Sequence, residues 1–69
     1  MTIRQAEVIV GLAKNNMNAL ATARAMFVHP NTIHYNVRMI HRNTGKNPLD
    51  FYDLCELLPE ARAVLGEED

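Results

Sequence analysis

Two helix-forming runs meet across only three residues, Phe27-Val28-His29, and the rest of the chain is organised around that junction. The first run begins at Asn18, whose side chain can cap it, and carries Ala23 where a second helix must approach closely. Val28 is expected to turn inward. His29-Pro30 then restarts a helix, because proline is favoured at a first helical position. Ile33, Val37 and Ile40 recur at i, i+4 and i+7 and can bury one side of this second helix. Asn31, Tyr35, Arg38 and Arg42 are left on the opposite side, with His34 beside them. An exposed polar and basic face on the second of two helices suits the major groove of duplex DNA. The pattern predicts a helix-turn-helix over about 18–44, stopped by Thr44-Gly45 with Gly45 in the left-handed conformation.

Charge placement points the same way. The formal net charge is only −1, but no acidic residue falls between Glu7 and Asp50. Lys14, Arg24, Arg38, Arg42 and Lys46 all lie in that interval, as do His29, His34 and His41. Every acid except Glu7 comes from Asp50 onward. A basic middle and an acidic end imply one surface suited to a polyanion rather than general adhesiveness.

With 69 residues the sequence has room for one domain, 1–69, and none for a second core or an attached sensor. A chain of this length buries about 60% of its unfolded surface, so its stability margin is narrow. Its 48% hydrophobic content is ample for a packed helical fold. No apolar run approaches a membrane span and Met-Thr-Ile-Arg-Gln is not a signal peptide, so a cytoplasmic, membrane-free setting is expected. Cys55, the single cysteine, shares helical spacing with Phe51, Leu54 and Leu58 and is expected to be buried.

The predicted class is all-α, a small domain of four to five helices. Thr2 and Gln5 form a capping-box pattern that starts the first helix, and Asn15-Asn16 ends it. Ala6, Ile9, Val10 and Ala13 make its core stripe. Val8 and Leu12 lie off that stripe, a second apolar strip to be covered by the C-terminal segment or by a second copy; as a dimer contact they would hold a weak homodimer. Asp50 caps a C-terminal helix over about 50–58, with Asp53 in its first turn, and Pro59 either ends it or begins a fifth helix reaching Leu65. An acidic tail, 66–69, closes the chain.

The run Asn15-Asn16-Met17-Asn18, then Thr22-Ala23-Arg24-Ala25, Val28-His29, Asn31-Thr32-Ile33, Tyr35 and Val37 resembles the C-terminal helix-turn-helix of the PucR and sugar-diacid (CdaR) family of bacterial regulators. That module is itself similar to the DNA-binding end of Fis. Thr44-Gly45 and Pro48-Leu49-Asp50-Phe51-Tyr52-Asp53-Leu54 fit the family's connector and final helix, so the likeness runs from about Ala6 to Leu58. It implies double-stranded DNA as partner. The sequence departs from it at Pro30, His34, Asn36 and Met39, where the family leads one to expect arginine or lysine, while Arg38 and Arg42 remain basic. Fewer cations on the groove-facing helix imply weaker binding and a flatter salt dependence.

The DNA-binding residues expected on these grounds are Asn31, Thr32, His34, Tyr35, Arg38 and Arg42. His29 is read as a structural cap. His34 and His41 are about 10 Å apart along a helix, too far to share one metal ion, and no second cysteine completes a tetrahedral set. No nucleophile-base grouping, phosphate loop or acid pair is present, so neither catalysis nor a cofactor is expected. Two functional readings follow. One is a DNA-binding module of a bacterial transcription regulator. The other is a protein-interaction or dimerisation module of the same fold, pairing with itself or a related regulator and binding DNA weakly or not at all.

Overall fold

A computed structural model describes residues 1–66; the expected acidic tail falls almost wholly outside them. Four helices follow in order: α1 (Ile3–Lys14), α2 (Ala19–Met26), α3 (Pro30–Thr44) and α4 (Phe51–Val64). No strand occurs among the described residues.

Each helix starts where a side chain can satisfy its leading N–H groups. Thr2 and Gln5 form the expected capping box on α1, with Oγ1 of Thr2 accepting from the Gln5 N–H at 3.1 Å and Oε1 of Gln5 accepting from the Thr2 N–H at 3.1 Å. Asn18 accepts from Ala21 N–H at 2.9 Å to open α2, and Asp50 accepts from Asp53 N–H at 3.1 Å to open α4. The connector between α3 and α4 is tied down in the same way. Thr44 Oγ1 donates to the Ile40 carbonyl at 2.7 Å, and Asn47 N–H donates to Asp53 Oδ2 at 2.9 Å. Pro48 is fully buried beneath it.

α1 is the central helix. α4 packs on it and touches neither α2 nor α3, while α2 and α3 pack on each other and on α1. Because α1 has neighbours on more than one side, it is apolar over more than one face. Ala6, Val8, Ile9 and Leu12 are all completely buried, in one cluster with Ala23, Ile33, Val37 and Ile40 of the helix-turn-helix and Leu54, Leu57 and Ala61 of α4. The expected dimer strip is thereby corrected. Val8 and Leu12 have no exposed surface to offer a second copy, because the chain's own packing covers them.

Two further expectations about the C-terminal segment are also corrected. Pro59 neither ends a helix nor begins one: α4 runs through it to Val64, and no fifth helix forms among the described residues. The proline removes one ladder hydrogen bond to the Cys55 carbonyl, and both residues lie on the solvent side, where water can replace it. Cys55 is accordingly exposed, not buried. The inward stripe of α4 is Leu54, Leu57 and Ala61, one position out of phase with the Phe51–Cys55–Leu58 spacing. No helix of the described residues is long and apolar enough to cross a membrane.

Candidate nucleic-acid interface

The junction between α2 and α3 is a Schellman turn. Phe27 N–H donates to the Arg24 carbonyl at 3.2 Å and Val28 N–H to the Ala23 carbonyl at 3.0 Å, the paired bonds that close a helix through a left-handed residue. That residue is Phe27, at φ 58 and ψ 40. Val28 turns inward and packs against the core. His29 then caps α3: its Nδ1 accepts from Asn31 N–H at 3.0 Å, and Pro30 occupies the first turn. Gly45, at φ 75, ends α3 in the left-handed conformation that glycine adopts without steric cost.

α3 buries Ile33, Asn36, Val37 and Ile40. The opposite side exposes Asn31, His34, Tyr35, Arg38, His41 and Arg42. Five of the six expected DNA-binding residues therefore stand in solvent on one helix, and Thr32 is half-buried at its edge. Among the described residues neither Arg38 nor Arg42 has an ion-pair partner, so both guanidinium groups are free to meet a phosphate. Lys46 is engaged elsewhere, 3.4 Å from Glu56 of α4. The acids Asp50, Asp53, Glu56 and Glu60 belong to α4 or its cap, and α4 packs only on α1. The charge division along the sequence thus becomes a division between helices, with the acids on a helix that packs on α1 rather than on α3.

Asn36 does not belong to the outward face. It is only 7% exposed, and its Nδ2 donates to the Thr32 carbonyl at 2.8 Å. Met39 is half-buried. Of the four positions where the likeness led one to expect a cation, only His34 is fully on the exposed face.

The start of α3 is already saturated. Pro30 has no N–H, Asn31 N–H is bound by His29 Nδ1, and Thr32 N–H donates to the His29 carbonyl at 2.9 Å. Those two amides are not available to cradle an anion, so contacts at this end of the helix fall to the side chains of Asn31 and Thr32.

α2 and α3 entire, and most of α1 and α4, fall within one recognisable unit. A family model described as the PucR C-terminal helix-turn-helix domain matches residues 6–63. The chain belongs to this family. The match runs past Pro59, in keeping with an α4 that continues through it. No curated protein and no solved structure matches the chain. For a PucR-type helix-turn-helix, the residue that sequence reasoning passed over is Phe27. It is 95% exposed at the turn, and the signal for it was a bulky residue standing where a left-handed turn ordinarily takes glycine.

Proposed function

We propose that this domain is the DNA-binding module of a bacterial transcription regulator and that α3 enters the major groove. The observation that carries this reading is the outward face of α3, where unpaired Arg38 and Arg42 stand beside Asn31, His34 and Tyr35 with no acid on the same helix. In such a docking the first helix of the motif crosses the backbone and the N-terminal part of the second reads base edges. Asn31 and Thr32 are then the base-edge or first-phosphate contacts. His34 and the Tyr35 hydroxyl reach the flanking backbone, and Arg38 and Arg42 neutralise phosphates further along. Binding requires no cofactor, and a regulator of this kind works where the chromosome is, in the cytoplasm.

The alternative of a protein-interaction module drew on Val8 and Leu12 as a free apolar strip. Their burial withdraws that support. One domain covers one half-site, and two copies on DNA would stand about 34 Å apart.

Amide resonances followed during titration with duplex DNA test the proposal. The expected shifts are confined to α2, the turn and α3, with α4 silent. Perturbation centred on α4, or none at saturating duplex, would contradict it.

A further inference from the structure

Three non-glycine residues among those described hold positive φ: Asn16, Met17 and Phe27. Two have an evident reason. Asparagine tolerates the left-handed region, and Met17 is half-buried and packed against the core. Phe27 has neither. Its ring is 95% exposed, so the strain of a bulky side chain at φ 58 is offset by no burial. Glycine would close the same Schellman turn without strain. A residue that the fold would do better without, three positions ahead of Pro30 and at the head of the α3 face, points to something outside the chain.

We propose that Phe27 is a specificity contact to DNA, its ring packing on the C5-methyl group of a thymine at the edge of the α3 footprint. This rests on the reading of α3 as the groove-entering helix. If α3 lies in the groove by its N-terminal turns while α2 crosses the backbone, the α2–α3 turn stands at the groove mouth. The thymine methyl is the apolar feature of the major-groove edge, and phenylalanine is among the side chains that meet it. The neighbouring Asn31 and Thr32 side chains are polar and Arg38 and Arg42 are charged; beside the Tyr35 ring with its polar hydroxyl, Phe27 is the wholly apolar aromatic nearest the start of α3.

The test uses a duplex recovered by affinity selection from a randomised pool. Each thymine is replaced in turn by deoxyuridine, which keeps base pairing and removes only the methyl group. Wild-type protein should lose roughly five-fold in affinity at one position, the low end of what one altered base pair costs. F27G should bind the parent duplex weaker by a similar factor and be indifferent to deoxyuridine there. Because F27G relieves strain, it should remain folded. Wild-type affinity and an unchanged deoxyuridine profile for F27G would overturn the inference. So would a variant altered only in self-association. If wild-type binding depends on Arg38 and Arg42 while F27G is silent, only this inference fails. If the wild-type domain does not bind duplex DNA at all, the functional reading fails with it.

Discussion

Gly11 of α1 and Thr22 of α2 touch so closely that a side chain on one would displace the other: a Cβ built on Gly11 falls 2.9 Å from Thr22 Cγ2. Thr22 is completely buried, and its Oγ1 donates to the Asn18 carbonyl at 2.8 Å while lying 3.4 Å from the Gly11 carbonyl. This approach seats the helix-turn-helix on the central helix. Gly11→Ala gains about 1 kcal/mol of helix propensity but meets an overpacking cost of about 1–3 kcal/mol. The expected outcome in urea denaturation is a net loss of about 1 kcal/mol. Thr22→Ser removes the clashing methyl and keeps the hydroxyl, so the double variant should recover most of it. Simple additivity of the two losses would refute this account of the contact.

Val8 and Leu12 should behave as core residues. Leu12→Ala is expected to cost about 2–5 kcal/mol, a large part of the stability of so small a domain. Its signature is a lowered thermal midpoint independent of protein concentration. A midpoint that moves with concentration in the wild type but not in the variant would restore the dimer strip.

His29 is expected to matter for the helix rather than for DNA. His29→Ala removes the acceptor for Asn31 N–H and should cost about 1 kcal/mol, as loss of an N-cap does. Where the variant is folded, the salt dependence of duplex binding should match the wild type. A changed slope would make His29 a phosphate contact.

Phe27→Gly should stabilise the fold by about 1 kcal/mol, the left-handed strain relieved less the entropy glycine loses on folding. A chemical denaturation midpoint at or below the wild-type value would show that the ring contributes to the fold after all.

The helix-turn-helix was legible in the sequence because its signals are local. Asn18, His29-Pro30 and Gly45 mark helix ends through groups within four residues of themselves, and Ile33, Val37 and Ile40 declare their own face. Packing partners are not local. The spacing of Val8 and Leu12 showed that they needed cover, but only the tertiary arrangement, α4 on one side of α1 and α2–α3 on another, decides that the chain supplies it. The same holds for α4, where Phe51, Cys55 and Leu58 and the stripe of Leu54, Leu57 and Ala61 both have helical spacing and differ only in which meets α1. Asn36 was obscured by its polarity. It lies three residues from Ile33 and four from Ile40, inside the buried stripe, and a back-bond to Thr32 satisfies its donor. Phe27 was visible only as one of three junction residues; that it takes the left-handed position and faces solvent is decided by the bonds that close α2.

The central claim is that α3 meets a polyanion through Arg38 and Arg42. The most direct measurement is the salt dependence of binding to random-sequence duplex DNA, wild type against Arg38→Ala/Arg42→Ala. Each phosphate neutralised contributes about 0.9 to the slope of log affinity against log salt. The account predicts a shallow wild-type slope that falls by about two in the double variant, with affinity lowered across all sequences. An identical slope in the two proteins would remove both arginines from the interface and contradict the claim.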